Sequence, residues 1–170
     1  MEAQLKLLES QFVPAAEAMP ENKYSFAPQG GDFKEVRTFA LEVRHVATVN
    51  MGIYSAILGQ DPPAGVIFVG VTNGPESIQT KEQLLKYLQD SFALGHKAFA
   101  TLTAQNAVIP LPKTPIPFIK TSLELATFSL VHASDHYGQM IEYLRMNGIT
   151  PPASKGQPTA NPSGSLSPKQ

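Results

Sequence analysis

The chain has no cysteine. It can therefore form no disulfide, offer no thiolate to a metal and use no cysteine nucleophile, and any thiol chemistry must draw on a cosubstrate. It also lacks an excess of charge of one sign: 13 basic and 14 acidic residues leave a net charge of −1, which gives no cationic surface for a nucleic-acid partner. No apolar run approaches the roughly 20 residues that span a bilayer, so no membrane partner is expected. The opening MEAQLKLLES shows no basic segment followed by an apolar one, and a cytoplasmic location is the expectation. No internal repeat is visible, which argues against a solenoid.

What is present is a core. Hydrophobic residues make up 42% of 170 residues, enough for one domain to fold without metal or disulfide staples. Apolar spacing predicts four helices. The first spans about Ala3 to Ala18, with Leu5, Leu8, Phe12 and Ala15 or Ala16 on one face and Pro20 closing it. The second spans about Phe33 to Leu58, begun by Asp32 or the glycine pair before it, with Phe39, Val43, Val46, Val49 and Ile53 near helical spacing. A Pro/Gly-rich connection follows, in which VIFVG (Val66 to Gly70) reads as extended loop, because a lone strand has no partner. The third helix starts near Ser77 or Thr80, where Thr80 and Gln83 form a capping-box pattern, and runs to about Thr103 with Leu84, Leu88, Phe92, Phe99 and Leu102 as its stripe. Prolines in VIPLPKTPIPF interrupt the pattern. The fourth helix spans about Phe118 to Asn147, with Gly148 as C-cap and Pro151 beyond. The expected fold is all-α: a four-helix bundle over residues 1–152 with long proline-rich connections, then a low-complexity, extended C-terminal tail over residues 153–170.

Two of the four histidines lie in the fourth helix, in HASDH. His132 and His136 are four residues apart, so both imidazoles occupy one face about 5–6 Å apart and can chelate one ion. The helical metalloprotease signature is excluded, since it needs Glu after the first His and Ala133 stands there. A di-iron bundle needs two Glu-x-x-His pairs, and the chain has only Glu42 to His45. A mononuclear site remains. His45, in FALEVRHVATVNMG, sits among apolar residues where a polar group needs a partner. One histidine from the second helix and a pair from the fourth supply three nitrogen ligands, the arrangement of a metal site with open positions. The donor set suits a divalent transition metal, zinc, nickel, copper or iron, and does not choose among them; zinc or nickel is the expectation.

YSFAPQGGDFKEVRTFALEVRHVATVN and HASDHYGQMIEYLRMNGITPP resemble the two signature regions of DinB-like proteins, and the resemblance covers about Met1 to Pro152. It implies a four-helix bundle whose metal is held by a histidine of the second helix and the H-x-x-x-H pair of the fourth, here His45, His132 and His136. It also implies a homodimer, to which apolar Ile53, Tyr54 and Ile57 near the end of the second helix are expected to contribute an exposed face. Some relatives use a low-molecular-weight thiol as cosubstrate for transfer or isomerisation, and others are hydrolase-like. The chain departs from the common pattern in having no tryptophan; Phe33 or Phe26 fills the place before the second helix. That departure bears on the substrate pocket and leaves the metal ligands untouched.

Several residues can support such a site. Gln139 falls on the ligand face and can bond a water or orient a ligand. Glu42, one turn before His45, can hold its ring, or else pair with a basic residue at the surface. Asp135 is about 100° around the helix from His136 and reads as a surface carboxylate. His96 can serve as a fourth ligand, although Gly95 and Lys97 beside it suggest partial exposure. Tyr137 and Tyr143 read as packing aromatics with hydroxyls at the bundle edge. The function expected is a metal-dependent hydrolase or thiol-dependent transferase acting on a small molecule. The alternatives are a non-catalytic metal-binding or stress-associated bundle protein, or a bundle with hydrogen-bonded histidines and no metal.

Overall fold

A computed structural model describes residues 1–29, 36–67 and 72–155. It contains α1 (Glu2–Ala18), α2 (Phe39–Ile57), α3 (Lys81–Ala100) and α4 (Ser122–Met146), with 3₁₀ turns at Glu21–Lys23 and Pro152–Ser154. No strand occurs among the described residues, and the chain folds as an all-α four-helix bundle. No helix among them is long and apolar enough to cross a membrane.

Side-chain contacts fix the helix directions. Lys81, at the start of α3, donates to the carbonyls of Glu17 and Met19 at the end of α1 (2.7 and 2.8 Å), so these two helices are antiparallel. Asn50 meets Ser91 and the Tyr54 ring meets Phe99, so α2 and α3 run parallel. Tyr143 reaches back to Arg37, and His136 to Glu42, making α2 and α4 antiparallel. Each of α1 and α2 packs against both α3 and α4. Because α2 and α3 point the same way, the connection between them must travel back along the bundle. It does so over α2: Arg44 donates to the carbonyls of Asn73 and Ile78 (2.5 and 3.0 Å).

That crossover explains why α2 is buried nearly all round, only Ala40, Leu41, Arg44 and Ala56 escaping. Ile53, Tyr54 and Ile57, expected to form an exposed dimer face, are instead core residues. Tyr54 can enter because Gly95 of α3 has no side chain; a Cβ there would lie 2.6 Å from the Tyr54 ring.

The predicted stripes of α1 and α3 are buried, apart from half-buried Leu102 beyond the end of α3. Helix ends differ more. Helix α2 begins at Phe39, not Phe33, because the Thr38 hydroxyl accepts from the Leu41 N–H and so caps it there; Gly30 to Glu35, including Asp32 and Phe33, lie outside the described residues. The expected end of α3 at Thr103 moves back to Ala100, while its Thr80–Gln83 capping box is present. Helix α4 begins at Ser122, not Phe118, because a second capping box joins Thr121 and Glu124; Phe118 precedes it and is exposed. Gly148, at φ 72°, follows the last turn of α4. Val66 and Ile67 are loop, as expected, while 68–70 of that stretch and 156–170 of the tail lie outside the described residues.

Candidate metal centre

His45 lies on the second turn of α2, and His132 and His136 lie on the facing side of α4. The antiparallel crossing brings them together: one ring nitrogen from each lies within 4.8 Å of the others. Ring centroids are 5.0, 4.7 and 4.5 Å apart, and the His45 and His132 Nε2 atoms are 3.0 Å apart. Two nitrogens bound tetrahedrally to zinc at about 2.05 Å would be separated by about 3.3 Å. The donor atoms are thus close to ligating distance without moving a helix.

The outer nitrogens are held where such a site needs them. His45 Nδ1 donates to the Thr72 carbonyl, delivered by the crossover. His136 Nδ1 lies 2.5 Å from Glu42 Oε2. In both rings this places the proton on Nδ1 and leaves the Nε2 lone pair free for a cation. His132 Nδ1 has no hydrogen-bond partner although buried, and its ring stacks on Phe128 at 5.6 Å.

Protonation is disfavoured in this setting. Burial, opposed by the Thr72 carbonyl and reinforced by the Arg37 charge, pushes the His45 pKa down to about 4. Burial, then the charges of His136, His45 and Arg37, push His132 down to about 3. Both rings are neutral at pH 7, the form that binds metal. His45 and His136 are buried whereas His132 is half-buried, so the cluster is open on the His132 side.

The supporting residues sort differently from the sequence expectation. Glu42 is not a solvated carboxylate: it is 1% exposed, and it holds His136 across the interface rather than His45 along its own helix. Gln139 is drawn away from the histidines, its amide donating to Asp135 at 3.0 Å on the outer side of α4. Asp135 is the surface carboxylate expected. His96 is remote from the cluster, bridging Glu2 and Glu9 of α1 at 2.9 and 2.8 Å. Tyr143 packs edge-on against Phe26 and donates to the Arg37 carbonyl at 3.0 Å. Tyr137 packs against Phe12.

Sequence reasoning missed Thr72, Asn73 and Arg37. The TNG turn (Thr72 to Gly74) carries a visible signal, an Asn-Gly pair, but nothing in it points to His45. Gly74 adopts φ 74° and packs so closely on α2 that a Cβ would lie 2.1 Å from the Thr48 hydroxyl. Only glycine lets the crossover lie flat enough to deliver Thr72.

A cavity of about 750 Å³ lies beyond the cluster, between Gly52 and Ala56 of α2 and the loops carrying Val66, Leu111 and Lys113. None of the histidines lines it. No curated protein matches the chain. The sequence model of the DinB superfamily matches residues 4–140, which include all three clustered histidines, and with them in place the chain belongs to the DinB superfamily.

Proposed function

We propose that the protein is a metal-dependent enzyme acting on a small molecule, with His45, His132 and His136 holding one divalent transition metal. The observation that carries this reading is the convergence of three imidazoles, two with their Nδ1 atoms engaged by Thr72 and Glu42. A bound metal supplies Lewis acidity toward an oxygen or sulfur nucleophile. The chain's own residues orient the imidazoles, exclude water from the His45 and His136 side, and leave the His132 side open to substrate. Hydrolysis and transfer with a low-molecular-weight thiol are the two reactions proposed, the thiol coming from a cosubstrate because the chain has none. Imidazole donors suit zinc, nickel, iron and copper alike, and zinc or nickel is the metal proposed.

The test is elemental analysis of untagged protein, followed by esterase and thiol-conjugation panels with added metals. One equivalent of metal in the wild type, its loss in His132→Ala, and turnover that follows the metal are expected. Metal content unchanged in His132→Ala would overturn the reading. A second reading, a non-catalytic metal-binding or stress-associated protein, is favoured by the separation of the 750 Å³ cavity from the histidines. It predicts full metal content with no turnover in either panel.

We also propose a homodimer, formed not by α2 but by exposed apolar residues of the α1–α4 side, Leu7 and Val131 (59% and 65% exposed). Light scattering should return twice the chain mass, and Val131→Glu should halve it. A monomer mass for the wild type at tens of micromolar would remove this proposal.

A further inference from the structure

We infer that Arg37 is the anion-recognising residue of the three-histidine centre, and that the substrate carries a carboxylate which the Arg37 guanidinium holds while the reacting end faces the histidines. The inference rests on the metal-centre reading above and adds the substrate class to it.

Arg37 immediately precedes Thr38, the N-cap of α2, and is half-buried. It is fixed at both ends. Its carbonyl accepts the Tyr143 hydroxyl from α4, and its Nε donates to the Asn73 side chain at 2.8 Å. Asn73 follows Thr72, whose carbonyl holds the His45 ring. Two consecutive residues of one turn therefore contact Arg37 and His45, which sets the guanidinium on the flank of the cluster. The same proximity lets its charge act on both His45 and His132.

The other arginine on this turn makes a useful contrast. Arg44 uses Nε and Nη1 on the carbonyls of Asn73 and Ile78 and acts as a strap for the crossover. Arg37 uses only Nε, and among the described residues no carboxylate pairs with it. Its Nη groups make no hydrogen bond to any described residue. An arginine that is half-buried, positioned from two sides and unpaired presents a planar fork suited to an anion. One guanidinium balances a single negative charge, which favours a carboxylate over a phosphate dianion.

The experiment uses the full chain loaded with cobalt(II), whose visible absorption reports replacement of a ligand. Two thiols are titrated, 3-mercaptopropionate and 2-mercaptoethanol, which differ by the carboxylate. The readout is the ratio of their affinities, so a general disturbance of the metal site cancels. The wild type should prefer 3-mercaptopropionate by about tenfold or more, as for a charge-assisted bidentate pair. Arg37→Met should abolish most of that preference, and Arg37→Lys should restore part of it. A preference that survives in Arg37→Met, or is absent from the wild type, overturns the inference. Inorganic phosphate competing better than acetate against 3-mercaptopropionate, in the wild type but not in Arg37→Met, overturns the carboxylate assignment. Failure of the cobalt spectrum to form before any thiol is added, or its equal formation in His132→Ala, overturns the metal reading itself and this inference with it.

Discussion

Glu42 offers the sharpest test of how the centre is built. It is 1% exposed and its Oε2 lies 2.5 Å from His136 Nδ1. A carboxylate in that position fixes the ring tautomer and makes the opposite nitrogen a better donor, and losing it typically costs about 10–100-fold in metal affinity. The local environment decides where in that range each variant falls. His136 is also buried, at 6% exposure, so water cannot readily replace the missing acceptor after Glu42→Ala. The loss should be near 100-fold, or about 2.7 kcal/mol. Glu42→Gln keeps an acceptor of almost the same shape without its charge, and should lose about tenfold, or about 1.4 kcal/mol. Competition titration of zinc against a chromophoric chelator near pH 7.5 measures both. Thermal melts give a second readout. At zinc a hundred times the wild-type Kd, binding stabilises the wild type by about 2.7 kcal/mol; after a 100-fold loss the same concentration gives only about 0.4 kcal/mol. The metal-free melts should differ between variants for reasons of packing alone, so the comparison is the gain each variant receives from zinc. Glu42→Ala binding zinc within about threefold of wild type would refute the reasoning, since the carboxylate would then be a buried structural group with no hold on the ligand.

Acid should destabilise the metal-free protein through the histidines. His45 and His132 are held at about 4 and about 3, below the unfolded value of about 6.5, so their contribution is present above about pH 6.5 and lost as pH falls through about 4. Urea midpoints between pH 7.5 and 4.5 should fall more steeply for wild type than for His132→Gln, and equal slopes would refute this. His96 has the opposite sign: burial opposes its charge, but the Glu9 and Glu2 hydrogen bonds outweigh that and raise its pKa, so the α1–α3 clamp holds at low pH and weakens as pH rises through the raised value. The stability advantage of wild type over His96→Gln should shrink on going from about pH 6 to pH 8, and NMR titration of the ring should show the raised midpoint directly. Gly74→Ala should weaken zinc binding as well as stability, because a Cβ there strikes Thr48 and lifts Thr72 away from His45. The left-handed backbone alone should cost about 1–2 kcal/mol, and an unchanged zinc affinity would mean that the crossover plays no part in the centre.

The parts of the fold that were legible in the sequence are those written within one helix. Leu5, Leu8 and Phe12 repeat at helical spacing because one face of α1 packs on the core, and the Thr80–Gln83 box marks a helix start because both partners lie in one turn. The same signal at Thr121 and Glu124 was equally readable, but Phe118 and Ile119 in front of it extend the apolar pattern and mask the boundary. Ile119 is buried in the core although it lies in the loop before α4, so apolar spacing there reports burial rather than helix. Ile53, Tyr54 and Ile57 show a different limit. Periodicity identifies them as apolar without saying what covers them, and for Tyr54 the cover comes from α3, where Phe99 meets its ring and Gly95 makes room.

The three-histidine cluster divides along the same line. His132 and His136 announce themselves because four residues on a helix put two rings side by side, whereas the roles of Glu42 and Thr72 are set by the crossing of separate elements. Glu42 and His45 share a face of α2, so spacing suggests that they pair. On an antiparallel partner, however, moving three residues forward along α2 moves about one turn back along α4, and each meets its own imidazole: Glu42 meets His136, and His45 meets His132. Gln139, one turn past His136, continues that walk beyond the place where Glu42 already fills the interface, and it turns outward to Asp135. The carboxylate the site needs was therefore beside His45 in the sequence and across from His136 in space. A helix pair read from spacing alone will tend to assign such a group to the wrong ring, because spacing orders residues along one helix and the crossing decides which of them face each other.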